Sequence, residues 1–294
     1  MTQTYAPAGS PPAAESTNPE VGRSVSAAGV LTNYHDHGDG EPVLLIHGSG
    51  PGVSAWANWR GVIPELAGRR RVVAPDIVGF GYTERPADFA FTRENWVHHL
   101  IGFLDALELD RVSIVGNSFG GALGLWLASR HPERVRRLVL MGSAGTSFPI
   151  TPGLDAVWGY EPSVENMGEL LRIFAYDQSL LGPDLAELRY RASARPGVQE
   201  SYAAMFPAPR QQGVDALALA DGDLAALEHE TLIVHGREDE VIPLHSSLRL
   251  HELIPNSRLH VFGHCGHWTQ IERLDEFVAQ LDTFLPTEPD PTAP

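Results

Sequence analysis

Lysine is absent from this chain, and its absence removes several classes of function. All 21 strongly basic side chains are arginines. Schiff-base and pyridoxal-dependent enzymes need a lysine amine, and a nucleotide-binding P-loop needs a lysine to contact the phosphates. The sequence therefore excludes these chemistries, including carbon–carbon bond cleavage through a lysine imine.

Paired cysteines, net positive charge and long apolar segments are also missing. Cys265 is the lone cysteine, so no internal disulfide can form and a reducing, cytoplasmic location is expected. The formal net charge of -16 at pH 7 disfavours nucleic acid and anionic membrane surfaces as partners, because they would repel the chain. No apolar run approaches the roughly twenty residues of a membrane span. The expected partner is a small molecule.

Short apolar runs rich in β-branched residues predict a mostly parallel sheet. Six runs are predicted as buried strands: Val43–Ile46, Arg71–Ala74, Val112–Val115, Leu138–Met141, Thr231–Val234 and Leu259–Phe262. Helical patterns at 94–107, 121–130 and 246–253 give the βαβ alternation of a doubly wound α/β fold. About ninety residues separate the fourth run from the fifth, more than a crossover helix needs. An inserted helical cap is therefore predicted.

These patterns predict five segments along the chain. The core is expected at 21–141 and 211–287, the cap at 142–210, and disordered tails at 1–20 and 288–294. The tails carry too few apolar side chains to offset the entropy lost on ordering, and the first lacks the features of a signal peptide. The cap is rich in aromatic and apolar residues, which suit either a pocket cover or ordinary core packing.

Ser118 is the candidate nucleophile. It lies between glycines, after the predicted strand Val112–Val115 and before a helical pattern. This arrangement is typical of a nucleophile elbow, a tight strand-to-helix turn that exposes the serine Oγ near a helix N-terminus. Gly116 and Gly120 satisfy the need of such a turn for positions without a Cβ. A glycine-rich turn that merely contains serine is the alternative, so the partners must decide.

A base and an orienting acid follow in the chain order expected for an α/β hydrolase. Asp239, just after a predicted strand, is the candidate acid, and the adjacent Glu238 competes with it. His267, just after the next predicted strand, is the candidate base, and His264 competes on position alone. Both segments follow the carboxyl ends of strands, where open parallel sheets collect their active sites.

The glycine-rich loop 47–52 follows the first strong strand and predicts an oxyanion hole. Small residues there let backbone N–H groups approach a developing negative oxygen, and the N–H of Phe119 is the second candidate donor. A phosphate-binding loop is the alternative. The spacing fits neither the Rossmann pattern nor Walker A, and the lysine of Walker A is missing.

Two histidine groups could indicate a metal site, and neither meets the requirements. His264, Cys265 and His267 are close in sequence, but a structural zinc site needs four ligands and no second cysteine exists. His98 and His99 would point in different directions on a helix and are expected at a surface or interface. No metal is predicted.

The segments 47–52, 55–60, 76–81, 116–121, 235–239 and 266–268 resemble those of the meta-cleavage product hydrolases. The resemblance covers about residues 30–285. It implies the α/β-hydrolase fold, with a mostly parallel, eight-stranded, doubly wound sheet and a helical cap. The cap segment 153–160 favours the subgroup that acts on 2-hydroxymuconic semialdehyde over the biphenyl-pathway members.

The resemblance implies a serine-dependent hydrolase that acts in the degradation of aromatic compounds without a cofactor. Such an enzyme cleaves the C5–C6 bond of a 2-hydroxy-6-oxo-2,4-dienoate after ketonisation of the dienol, releasing 2-hydroxypenta-2,4-dienoate and a small carboxylic acid. Ser118 would attack the C6 carbonyl, or assist water in a gem-diol route. His267 would transfer protons, and Asp239 would fix its tautomer.

The resemblance also implies substrate-binding residues. The N–H groups of Ser49 and Phe119 would hold the oxyanion, and a cap arginine would bind the substrate carboxylate through its planar fork, with Arg189 favoured over Arg191. The remaining implied contacts are Gly48, Gly50, Asn58, Asn117 and Trp268. A homodimer or larger homo-oligomer is expected. A carboxylesterase of the same fold, or a slow-turnover ligand-binding receptor, would carry the same motifs.

Overall fold

A mixed eight-stranded sheet forms the centre of the protein. The computed structural model describes residues 18–287. The strands are β1 Arg23–Ala27, β2 Val30–His37, β3 Pro42–Ile46, β4 Arg71–Pro75, β5 Val112–Asn117, β6 Val135–Met141, β7 Thr231–Gly236 and β8 Ser257–Phe262. Their order is β1-β2-β4-β3-β5-β6-β7-β8. The pairs β1–β2 and β2–β4 are antiparallel and the others are parallel, which confirms the predicted sheet.

All six predicted strands are present, and two further strands were missed. β1 and β2 form the antiparallel end of the sheet. β2 is largely buried, but it buries polar side chains that form hydrogen bonds. Thr32 Oγ1 lies 2.7 Å from His99 Nε2, and the Asn33 N–H donates to Thr83 Oγ1. An apolar run could not reveal such a strand.

Helices cover both faces of the sheet because side chains alternate along each strand. In β3, Leu44 and Ile46 pack in one apolar cluster, and Val43 and Leu45 pack in the other. The first cluster includes side chains of α3 Arg93–Ala106, α4 Phe119–Arg130 and α11 Leu244–Leu253. The second includes side chains of α1 Ala55–Trp59, α2 Val62–Ala67 and α13 Leu274–Phe284. The short α12, Thr269–Glu272, precedes α13.

The segment between β6 and β7 contains the helices of the predicted cap. These are α5 Pro152–Trp158, α6 Val164–Phe174, α7 Leu185–Ser193 and α8 Val198–Met205, followed by α9 Gln211–Leu217 and α10 Asp221–Ala225. Ser163 caps α6 by accepting from the N–H of Asn166, and α6 buries Met167, Leu170, Leu171 and Phe174 at helical spacing. Trp126 of α4 donates to the Leu217 carbonyl, so α9 lies against the core. The boundary near residue 211 stays a prediction.

Some expectations from the sequence need correction, and others concern residues outside the described part of the chain. Residues 1–17 of the tail predicted at 1–20, and the whole tail predicted at 288–294, lie outside the described residues. Residues 18–20 are not part of a tail, because Glu20 accepts a hydrogen bond from Ser54 Oγ in the core. His99 is buried against β2 and not at a surface. Within residues 18–287, no helix is both long enough and apolar enough to cross a membrane.

Candidate active site

Ser118 occupies a strained turn between β5 and α4. Its φ is 54° and its ψ is -113°, and its N–H donates to the Met141 carbonyl. A Cβ added at Gly116 would lie 2.5 Å from the Gly120 carbonyl oxygen, and one added at Gly120 would lie 2.3 Å from the Ile46 oxygen. The two glycines are therefore required by the close approach of backbones on each side of Ser118.

Asp239 and His267 come together from the loops after β7 and β8. His267 Nδ1 lies 2.7 Å from Asp239 Oδ2, and both side chains are buried. The other oxygen, Oδ1, accepts the N–H groups of Val241 and Ile242 at 2.7 and 2.9 Å. The contact with Asp239 places the imidazole proton on Nδ1, which leaves Nε2 as the acceptor. This is the state a general base requires.

The surroundings of Asp239 keep its carboxylate ionised. Burial alone would raise the pKa of Asp239. The positive charge and hydrogen bond available from His267, with smaller contributions from His235 and the Ile242 N–H, outweigh burial and hold the pKa below its ordinary value. An ionised Asp239 can stabilise an imidazolium at His267 during proton transfer.

The competing residues bind other partners. Glu238 pairs with Arg237 and accepts the N–H of Cys265. His264 contacts the Tyr176 hydroxyl through Nδ1 at 3.0 Å. Burial raises the pKa of the Cys265 thiol to about 12, which keeps it protonated. In the described part of the chain, no group of three or more His, Cys, Asp or Glu side chains could hold a metal ion.

A cavity of about 120 Å³ lies between core and cap beside Ser118. The predicted site residues that line it are Gly48, Ser49, Gly50, Asn58, Asn117, Ser118, Arg189, His267 and Trp268. Asp239 contacts the side of His267 that carries Nδ1. The Phe119 ring packs in the core, with its centroid 4.9 Å from that of Trp96. Only the backbone of Phe119 can therefore serve the site.

Cap side chains hold the predicted oxyanion loop in place. Trp158 Nε1 donates to Ser49 Oγ at 3.0 Å, and the Tyr202 hydroxyl donates to the Ser49 carbonyl at 2.9 Å. The N–H groups of Ser49 and Phe119 have no acceptor among residues 18–287. The N–H of Phe119 is the first of α4, where helical N–H groups lack intrahelical acceptors. Both groups are available to bind an anionic oxygen.

Arginines, and no acidic side chains, are among the described lining residues of the cavity, although the chain is acidic. The lining arginines are Arg60 and Arg189. Arg189 is about 12% exposed and its Nη2 pairs with Glu20 Oε1 at 2.7 Å. Arg191 is 74% exposed and pairs with Glu187 on the same helix. Of the two cap arginines weighed from the sequence, the geometry brings Arg189 to the cavity.

Phe174 at the end of α6 connects the cap directly to the candidate base. Its backbone carbonyl accepts the backbone N–H of His267 at 2.8 Å. Its ring stacks on Trp268 with centroids 5.0 Å apart, and on His267 with centroids 5.9 Å apart. The cap therefore contributes to the position of His267 as well as to the cavity wall.

Sequence reasoning missed two polar residues of the lining, Arg60 and Gln270. Arg60 ends the α1 segment, and Gln270 lies in α12, three residues after His267. Closeness to the candidate base in sequence is the signal that could have found Gln270. No comparable signal separates Arg60 from the surface arginines.

The fold, with Ser118 and His267 lining one cavity and Asp239 bonded to His267, is typical of an α/β hydrolase. A family model described as alpha/beta hydrolase fold matches residues 41–274. The 2-hydroxymuconate semialdehyde hydrolase of Pseudomonas sp. strain CF600 is 62% identical over 272 residues, which cover 92% of this chain and 96% of that protein. The 2-hydroxy-6-oxo-2,4-heptadienoate hydrolase of Pseudomonas putida is 63% identical over 271 residues, covering 92% of this chain and 98% of that one.

A solved structure of a meta-cleavage product hydrolase also matches this chain. The meta-cleavage product hydrolase of Pseudomonas fluorescens IP01, a serine-to-alanine mutant complexed with acetates, has a TM-score of 0.90 and 61% identity to this chain. The match covers 91% of this chain and 98% of that one. The chain belongs to the meta-cleavage product hydrolases of the α/β-hydrolase family, as its motifs predicted.

Proposed function

We propose that the protein hydrolyses the C5–C6 bond of 2-hydroxy-6-oxo-2,4-dienoates that carry a small C6 substituent. The substrates would be 2-hydroxymuconic semialdehyde and its 6-alkyl analogues, which are also the kind of substrate named for the relatives above 60% identity. The observation that carries the proposal is the cavity beside Ser118, lined by Arg60 and Arg189 and by no described acidic side chain. Such a lining suits an anionic dienoate.

The first step prepares a carbon leaving group. The 2-hydroxyl loses its proton and C5 gains one, which converts the dienol into a ketone. Cleavage of C5–C6 can then place the bonding electron pair on the C2 oxygen through a conjugated dienolate. Without this step the departing carbon fragment would have no stabilised form.

The second step uses the three-residue arrangement. Ser118 Oγ attacks the C6 carbonyl while His267 Nε2 takes its proton, and Asp239 stabilises the imidazolium. The N–H groups of Ser49 and Phe119 bind the oxyanion, and each such donor typically contributes about 3 kcal/mol to lowering the barrier. The C5–C6 bond then breaks, His267 protonates the dienolate oxygen, and water releases the acyl group from Ser118 as a carboxylic acid.

The decay of the absorbance of the conjugated dienol substrate tests this function. The wild type and Ser118→Ala would be compared on substrates with hydrogen, methyl or phenyl at C6. We expect rapid serine-dependent loss for hydrogen and methyl, and slow loss for phenyl, because the cavity is only about 120 Å³ and Leu154, Val157 and Met167 form part of its wall. Cleavage of simple esters alone would favour a carboxylesterase. Tight binding with hardly any turnover would favour a ligand-binding receptor.

A pair of arginine variants tests carboxylate recognition. Arg189→Met should raise KM for the dienoate about tenfold or more, because a charge-assisted pair is lost. Arg191→Met is the matched control on the same helix and should leave KM unchanged. Neither variant should alter KM for 4-nitrophenyl acetate, which has no carboxylate. Equal effects of the two variants would contradict the role of Arg189.

We further propose that the protein acts in the cytoplasm as a homodimer or larger homo-oligomer. The lone, buried cysteine supports a reducing location. β8 lies at the edge of the sheet and exposes the Val261 side chain, which offers an apolar contact to a second copy. Light scattering during gel filtration would show a single monomeric mass if the assembly proposal is wrong.

A further inference from the structure

Gln270 is a buried glutamine of the cavity lining with an unused acceptor. It is 2% exposed, and its Nε2 makes a long hydrogen bond, 3.4 Å, to the Asn58 carbonyl. Its Oε1 is buried and has no hydrogen-bond partner among the described residues. A buried acceptor without a donor is unfavourable, so such a group at a cavity wall calls for an explanation.

Asn58, which Gln270 contacts, has the complementary unused group. Its Oδ1 accepts the Gly48 N–H at 3.3 Å, and its Nδ2 is buried without a partner. Asn58 also lines the cavity. Gln270 and Asn58, which are joined by a hydrogen bond from side chain to backbone, therefore leave one free acceptor and one free donor, and both residues line the same cavity.

The orientation of both amides follows from their backbone partners. A flipped Asn58 would set its NH₂ group against the Gly48 N–H, and a flipped Gln270 would set its oxygen against the Asn58 carbonyl. Both alternatives would oppose like groups. The free donor is therefore Asn58 Nδ2, and the free acceptor is Gln270 Oε1.

This combination selects the chemistry of the group it binds. Carboxylate and keto oxygens only accept hydrogen bonds, so they can satisfy Asn58 but not Gln270. A hydroxyl both accepts and donates, and one hydroxyl could therefore satisfy both amides. The proposed substrate carries one hydroxyl, at C2, next to the carboxylate assigned to Arg189.

We propose that Gln270 is a specificity-determining residue that accepts a hydrogen bond from the 2-hydroxyl of the dienol, while Asn58 donates to the same oxygen. The inference rests on the proposed function and names the group by which the site distinguishes the enol substrate. A 6-oxo-2,4-dienoate that lacks the 2-hydroxyl leaves the Gln270 oxygen unpaired and binds more weakly.

The test pairs a protein change with a ligand change. Gln270→Met keeps length and burial and removes both polar atoms. It should raise KM for the 2-hydroxy substrate about five- to tenfold. It should leave unchanged the inhibition constant of the 2-deoxy analogue, measured against hydrolysis of 4-nitrophenyl acetate. Equal changes for the two ligands, or no change for either, would overturn the proposal.

Thermal unfolding separates this role from a structural one. Gln270→Met should leave Tm unchanged or raise it, because the variant removes an unpaired buried oxygen. Gln211→Met is the control: that amide bonds Ile150, Phe148 and Asp215, so its loss should lower Tm without altering KM. A lower Tm for Gln270→Met, with KM unchanged, would assign Gln270 to structure alone. Failure of the wild type to cleave any dienoate would instead refute the proposed function.

Discussion

Replacing Ser118 with glycine should stabilise the protein while it abolishes hydrolysis. Ser118 has φ 54° and ψ -113°, a backbone conformation that costs a residue with a Cβ about 1–3 kcal/mol. Glycine adopts it freely but loses about 0.5–1 kcal/mol more conformational entropy on folding. The Ser118 side chain makes no capping hydrogen bond that would be lost. The net gain is about 1 kcal/mol, or roughly 1.5–2 °C in Tm for a chain of this size.

Ser118→Ala is the matched control for this prediction. It removes the same hydroxyl but keeps the Cβ and therefore the backbone strain. Scanning calorimetry of the three proteins should place the Tm of Ser118→Gly above the Tm values of Ser118→Ala and the wild type, which should agree closely. Both variants should lack dienoate turnover. A glycine variant no more stable than the alanine variant would show that the turn stores no strain.

Three further predictions follow from the described contacts. Asp239→Asn should lower kcat about 10⁴-fold by changing the tautomer of His267, whereas Glu238→Gln should change kcat little; steady-state kinetics at pH 7 decides between the two acids. Burial lowers the pKa of His99 to about 4, so from about pH 6.5 down to 4 the unfolded chain binds more protons and the free energy of unfolding falls by at most about 3 kcal/mol. The free energy of unfolding of His99→Gln, measured with urea, should fall less steeply between pH 6.5 and 4 than that of the wild type. A fall parallel to that of the wild type would contradict this origin. Trp158→Phe removes the donor to Ser49 Oγ and should lower kcat several-fold with the fold intact, as judged by circular dichroism; an unchanged kcat would show that this bond does not hold the loop.

The parallel part of the sheet and the nucleophile turn could be predicted because both depend on local sequence. A strand buried on both faces requires a continuous apolar run, and the elbow requires glycines where two backbones meet. β2 escaped prediction because its buried Thr32 and Asn33 are satisfied by residues distant in the chain. His99 was expected at a surface or interface for the same reason, because its partner Thr32 is distant in the chain.

Details of the site depended on tertiary contacts that spacing does not encode. Asp239 and Glu238 are neighbours, so position alone could not show which one reaches His267. Arg189 and Arg191 differ by two residues on one helix, and only the fold turns one toward the cavity. Glu20 and Arg189 are in contact although they lie 169 positions apart in the chain. Spacing could not show this contact, because Glu20 was expected to belong to a disordered tail.

The contacts between Phe174 and His267 tie the geometry of the candidate base to the position of α6. A displacement of α6 would withdraw the carbonyl that accepts the backbone N–H of His267, together with the ring stacked on the imidazole. An oversized substrate that pushed α6 aside would therefore meet a misaligned base even when it fits beside Ser118.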